Sequence, residues 1–83
     1  MKNISLNEIV DCNAWLKEKN LAFRIHLRDA CGKQSCWIEP LGNCACDGRW
    51  VEMYGEVEGF FHKLGYQLIF DRENLSFWVD QSE

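Results

Sequence analysis

A five-residue pattern occurs twice in the chain and constrains its fold more than any other feature. Residues 35–39 read SCWIE and residues 76–80 read SFWVD, so each segment carries Ser, Trp, a β-branched residue and an acid in the same order. Each segment ends a region that begins with a helical pattern and continues with an alternating one. A repeat of this kind indicates two copies of one α-β-β unit, at residues 5–40 and 50–81. A chance resemblance between two amphipathic halves is the alternative.

Each unit is predicted to begin with an amphipathic helix, because its apolar residues recur at helical spacing. The first helix is expected at about 5–18 and the second at about 48–64. The residues at the predicted helix ends are Ser5 and Glu8, which form a capping box, Asp47 as the second N-cap, and Gly65 as the second C-terminal cap. Gly55 and Gly59 are expected to face Val10 and Ala14 and to let the two helices approach closely.

Four stretches alternate between apolar and polar residues, as strands with one buried face do: 21–29, 35–40, 66–71 and 75–80. An isolated two-stranded hairpin is marginal, so we expect the two units to pack together. The predicted fold is a single α+β domain spanning residues 1–83, a two-layer sandwich with a four-stranded antiparallel sheet and both helices on one face. One such arrangement is a circularly permuted ferredoxin-like sheet, with the strands of Trp37 and Trp78 central and adjacent.

The sheet face without helices is the candidate binding surface. Alternation places on this face Arg24, His26, Arg28, Trp37, Glu39, Ile69 and Trp78. Trp37, Ile69 and Trp78 form an apolar patch within this set, and monomers seldom expose such a patch without using it. The alternative is that loops or the C-terminal tail cover it. Self-association is the simplest use, since Trp and Arg are favoured interface anchors, and capture of a planar or cationic small ligand is another.

Single-stranded nucleic acid is a third candidate partner for this face. RNA-recognition domains stack bases on aromatic side chains of two central strands, and Trp37 and Trp78 are expected in comparable places. Glu39 and Asp80 beside the rings argue against it, as does the net charge of -4, because affinity for nucleic acid depends on Lys and Arg.

Cysteines support an alternative reading as a thiol or zinc protein. Cys31, Cys44 and Cys46 are expected on loops, and His26 is a possible fourth zinc ligand, but their spacing departs from the paired motifs of structural zinc sites. Cys44 and Cys46 also precede the second helix, where a thiol pKa can be lowered, so a redox-sensitive pair is conceivable. Cys36 aligns with Phe77 of the other unit, which indicates a core position. We therefore expect no metal or other cofactor.

Residues 28–31 read RDAC, namely Arg28, Asp29, Ala30 and Cys31. Here the sequence resembles the RDAC family, a group of small bacterial proteins named for that tetrad. The resemblance implies no functional residue, since the family carries no established activity. Asp29 has a structural role available to it, because its side chain can turn the backbone ahead of Gly32.

The remaining features favour a non-enzymatic binding or interaction module in the cytoplasm. The N-terminal segment has no signal-peptide run, and no stretch approaches the ~20 apolar residues that span a bilayer. No phosphate-binding loop or zinc-protease motif is present in the sequence. His26, Asp29 and Cys31 could form a base, an orienting group and a nucleophile, but nothing in the sequence indicates an oxyanion hole beside them.

Overall fold

The chain folds with the α-β-β-α-β-β order that the repeat predicts. A computed structural model describes residues 3–30, 33–41 and 49–80, without the side chains of residues 29, 30 and 33. Its elements are α1 at Leu6–Glu18, β1 at Phe23–Ala30, β2 at Lys33–Pro40, α2 at Trp50–Lys63, β3 at Leu68–Asp71 and β4 at Ser76–Val79.

The four strands form one antiparallel sheet in the order β1-β2-β4-β3. The strands that carry Trp37 and Trp78 are therefore central and adjacent, as expected. β1 and β3 are the two edge strands. The α+β class is confirmed, while the comparison with a permuted ferredoxin-like sheet stays a prediction.

Both helices bury their apolar stripe against the same face of the sheet. α1 buries Ile9, Cys12 and Leu16, and α2 buries Met53, Tyr54, Val57 and Phe61. These side chains form a single core cluster with buried strand residues, namely Phe23, Ile25, Cys36, Ile38, Phe77 and Val79. Every buried side chain of the described residues is apolar, so burial of apolar area is what holds the two layers together.

The repeat is visible in the helix ends. After α1, Asn20 has a left-handed backbone (φ 59°), and the Leu21 N–H donates to the Leu16 carbonyl at 2.9 Å. After α2, Gly65 has φ 92°, and the Tyr66 N–H donates to the Phe61 carbonyl at 3.0 Å. Both helices end in the same type of cap, at positions 45 residues apart. The predicted role of Gly65 is confirmed.

The centre of the sheet has a register consistent with an approximate two-fold axis. Cys36 lies directly opposite Phe77 across β2 and β4, and these residues are equivalent in the two SCWIE-like segments. A two-fold axis normal to the sheet therefore passes between them. For the outer strands, the offset of 45 residues that relates the two helices predicts that Phe23 corresponds to Leu68.

Ladder pairing shows that correspondence to be wrong by two residues. Ile25 pairs with Ile38 on β2, and Leu68 pairs with Val79 on β4. Since Ile38 and Val79 are equivalent, Leu68 corresponds to Ile25. The second unit is two residues shorter between its helix and its first strand.

The second helix begins two residues later than predicted, at Trp50, with Arg49 as an N-cap residue whose side chain does not cap the helix. The predicted N-cap, Asp47, lies outside the described residues. Arg49 instead reaches back to the end of α1, where its Nη1 donates to the Asn20 carbonyl at 2.7 Å. The helix start is thus tied to the preceding helix end.

The expected close packing at Gly55 and Gly59 is wrong. Both glycines are exposed, and a Cβ built on either would have nothing within 4 Å. Val10, proposed as an opposing residue, is 58% exposed. The helices meet along the other flank, where the Trp15 indole N–H donates to Glu56 Oε1 at 2.9 Å.

Candidate functional site

The sheet face opposite the helices carries all seven predicted site residues. We call it the open face, defined by Arg24, His26, Arg28, Trp37, Glu39, Ile69 and Trp78. Their strand neighbours Ile25, Ile38 and Val79 are buried in the core, so alternation directs these seven side chains the other way. Arg24, Arg28 and Ile69 are exposed, and the other four are half-buried.

The two tryptophans lie at the centre of the open face. Trp37 on β2 is directly opposite Ser76 on β4, which makes Trp78 its diagonal neighbour across the ladder. Diagonal neighbours on one face lie about 7–8 Å apart, within reach of aromatic side chains. The centre of the face is therefore an aromatic pair flanked by small hydroxyl residues.

Trp37 is held by its cross-strand neighbours. The His26 ring stacks on it with centroids 4.3 Å apart and an interplanar angle of 18°. His26 Nε2 is in turn 2.8 Å from Glu39 Oε1. The guanidinium carbon of Arg28 lies 6.0 Å from the Trp37 ring centroid, at the outer range of a cation–π contact. These contacts fix the orientation of the ring before any partner binds.

Charge is unevenly distributed across the open face. The edge strand β1 contributes Arg24, His26 and Arg28, whereas the opposite side carries Asp71 at the end of β3 and Asp80 just after β4. Glu39 is directly opposite Arg24 on the neighbouring strand. The face thus has one basic side and one acidic side, with the tryptophans between them.

Cys12 and Cys36 are buried free thiols within the core. Burial raises the pKa of each thiol to about 12, which keeps both protonated and unreactive near neutral pH. The core position predicted for Cys36 is confirmed. Cys31, Cys44 and Cys46 lie outside the described residues, so the zinc and redox alternatives stay predictions.

His26 is not in a metal-binding cluster within the described part of the chain, where no group of three His, Cys, Asp or Glu side chains could hold an ion. Its described partners are the Glu39 carboxylate and the Trp37 ring. The pairing with Glu39 orients the imidazole, as a carboxylate orients a catalytic base. The candidate nucleophile, Cys31, lies outside the described residues, so the catalytic alternative stays a prediction. The described contacts make His26 a support for Trp37.

Asn13 is a functional candidate that our reading of the sequence missed. It stands on the flank of α1, where its Oδ1 accepts from the Ile25 N–H at 2.7 Å and its Nδ2 donates to the Ile25 carbonyl at 3.0 Å. The side-chain amide thus acts as a strand partner for the edge of β1. The available signal was a polar residue at a helical position beside the apolar stripe.

The chain matches no protein-family model, no curated protein and no solved structure at a significant level. The resemblance of Arg28–Cys31 to the RDAC family therefore stays a prediction. Within the described residues, no helix is both long and apolar enough to cross a membrane.

Proposed function

We propose that the chain is a non-enzymatic interaction module that binds a second copy of itself through the open face. The observation that carries this proposal is the pair Trp37 and Trp78 at the centre of a sheet face that neither helix covers. Buried aromatic anchors near the centre of an interface supply most of its binding energy. Trp37 is already oriented by His26, which lowers the entropy lost on association.

Charge complementarity selects a second copy as the partner. A two-fold axis parallel to the strands, set between two open faces, places β1 of one copy over β3 of the other. The side of Arg24 and Arg28 then meets the side of Asp71 and Asp80. If the two copies instead met with β1 over β1, like charges would face each other and repel. The charges therefore favour the orientation with β1 over β3.

Shape complementarity supports the same orientation. With β2 of one copy over β4 of the other, Trp37 faces the partner's Ser76, because these two residues share a row of the sheet. The equivalent relation in the other half brings Trp78 over the partner's Ser35. Each large ring is thus accommodated by a small side chain, as close packing at an interface requires.

Replacing both tryptophans tests the proposal. Truncating an anchor commonly costs about 2 kcal/mol of association or more, which is about 30-fold in affinity. We expect Trp37→Ala with Trp78→Ala to abolish dimers in sedimentation at micromolar concentration, while thermal unfolding of the monomer changes little. Val51→Ala is the matched control, since Val51 is 74% exposed on the helix layer and should leave both measurements unchanged.

Wild-type dimers that dissociate further as salt is raised would support the charge argument. A wild-type chain that sediments as a monomer at high concentration refutes self-association. In that case a single-stranded oligonucleotide or a planar cation that quenches Trp37 and Trp78 would indicate one of the other two partners. If the double variant unfolds, the tryptophans belong to the core and the open face is not a free surface.

A further inference from the structure

The sheet has a second surface of interest, at its edge and distinct from the open face. Each helix flank and its adjoining edge strand enclose a groove. The groove of the first unit lies between α1 and β1 and is lined in part by Asn13, Ala14 and Lys17. The groove of the second unit, about 490 Å³ in volume, is lined in part by Glu58, Gly59 and His62. These residues are equivalent in the repeat, 45 positions apart.

The two grooves differ in which side chain faces the outward backbone N–H and carbonyl groups of the edge strand. Asn13 lines the first groove, and its side-chain amide bonds both the N–H and the carbonyl of Ile25. Glu58 stands at the equivalent place in the second groove. A carboxylate accepts hydrogen bonds but donates none when ionised, so it is unable to bridge an N–H and a carbonyl as an amide does.

The backbone of β3 is open in the second groove. The Asp80 N–H donates to the Gln67 carbonyl at 2.7 Å, so Gln67 points its backbone groups towards β4. Alternate residues of an antiparallel edge strand point the other way, which directs the N–H and carbonyl of Leu68 and Phe70 away from β4. No other described residue bonds these groups.

We propose that an extended, basic peptide segment of a partner protein binds in this groove as a fifth strand beside β3. The first groove shows which chemistry fits, because there the Asn13 amide supplies the donor and the acceptor that one residue of a neighbouring antiparallel strand would supply from its own N–H and carbonyl. Gly55 and Gly59 leave room for an apolar side chain, since nothing lies within 4 Å of a Cβ at either. The Glu58 carboxylate is placed to pair with a Lys or Arg of the segment.

The test uses a capped hexapeptide of alternating lysine and valine, titrated into isotope-labelled protein and followed by amide exchange. Bound peptide should slow exchange of the Leu68 and Phe70 amides at least tenfold and leave the Ile25 amide unchanged. Gly59→Leu should fill the groove and weaken binding at least tenfold. Ala14→Leu is the matched control, because it enlarges the equivalent residue of the groove that Asn13 already bridges.

Two further arms examine the mechanism. Glu58→Asn recreates the Asn13 bridge, so it should protect the Leu68 amide without peptide and reduce peptide affinity at least tenfold. A capped hexapeptide of alternating glutamate and valine should bind at least tenfold more weakly than its lysine counterpart. Trp37→Ala with Trp78→Ala should leave peptide binding intact, which separates this site from the open face.

Several results would overturn the proposal. Peptide-induced changes centred on Trp37, or on the edge of β1 at Leu27, would place binding elsewhere. Equal affinity for wild type and Gly59→Leu would show that the groove is not used. Protection of the Leu68 amide that disappears on dilution of free protein would mean that β3 pairs with a second copy instead.

Discussion

Replacement of Asn13 by alanine is expected to lower the free energy of unfolding by about 0.5–1.5 kcal/mol. The Asn13 side chain makes two hydrogen bonds to Ile25, at 2.7 and 3.0 Å. Each such bond contributes about 0.5–1.5 kcal/mol net, so losing both removes about 1–3 kcal/mol. Alanine returns about 0.5 kcal/mol as the better helix former. Water entering the groove can satisfy the freed backbone groups, which keeps the loss in the lower part of that range.

The repeat supplies a matched control at Glu58, which occupies the same place on α2 and has no described hydrogen bond. Glu58→Ala should change stability by less than about 0.5 kcal/mol, as surface substitutions usually do. Asn13→Asp is a sharper variant, because it preserves shape and one acceptor but removes the donor and sets a carboxylate against the Ile25 carbonyl. It should cost at least as much as Asn13→Ala.

Urea unfolding followed by far-ultraviolet circular dichroism measures these differences. For a chain of this size, about 1 kcal/mol corresponds to a shift of about 4–8 °C in melting temperature. Amide exchange gives a local reading, since the Ile25 amide should lose protection in both Asn13 variants. Equal stability of Asn13→Ala and Glu58→Ala would refute the argument that the amide acts as a strand partner.

Two further predictions concern the helices and the buried thiols. Gly55→Ala and Gly59→Ala should each raise stability in urea by about 0.5–1 kcal/mol, because both lie inside α2 with open space at the Cβ position. A loss of stability would instead indicate the close helix contact that we first expected. Stability should also fall as pH rises above about 9, because Cys12 and Cys36 have pKa values of about 12 when folded but 9.0 ordinarily. The unfolded chain then loses protons that the folded chain retains, at about 1.4 kcal/mol per pH unit for each thiol. Cys12→Ala should reduce that slope in melting experiments between pH 8 and 11. An unchanged slope would show that the buried thiols do not cause the loss of stability.

Periodicity was sufficient to predict the layers and the direction of the strand side chains. Ile38 and Val79 had to face the core if the neighbouring Trp37 and Trp78 faced outward, and the structure confirms this. Period two and period 3.6 report burial directly, because each face of an element meets either the core or water. These signals locate the open face residue by residue without any knowledge of register.

Register and flank are what periodicity does not determine. A shift of two residues leaves every strand side chain on the same face, so matching Phe23 or Ile25 with Leu68 satisfied the alternation equally well. Likewise, an apolar stripe shows which side of α2 meets the sheet but not which flank meets α1. The misplacement of Gly55 and Gly59 followed from that ambiguity.

Asn13 was hidden for a related reason. Its hydrogen bonds to Ile25 depend on how closely α1 approaches the edge of β1. No local sequence pattern reports that distance. The stack of His26 on Trp37 was nearer to prediction, because cross-strand neighbours on one face are in contact once the hairpin register is known. Contacts between a helix and a strand thus required the structure, whereas contacts within a hairpin follow from its register.

Differences between the two halves carry more functional information than their similarities. The halves share the C-terminal helix caps, the buried stripes and the central register, all of which serve the common core. They differ at the edge strands, where β1 has eight residues and β3 has four. A long edge strand invites unwanted pairing, and Asn13 occupies the outward backbone groups of one β1 residue, Ile25. The short β3 carries less of that risk and can stay open, where it offers two outward residues to a partner strand.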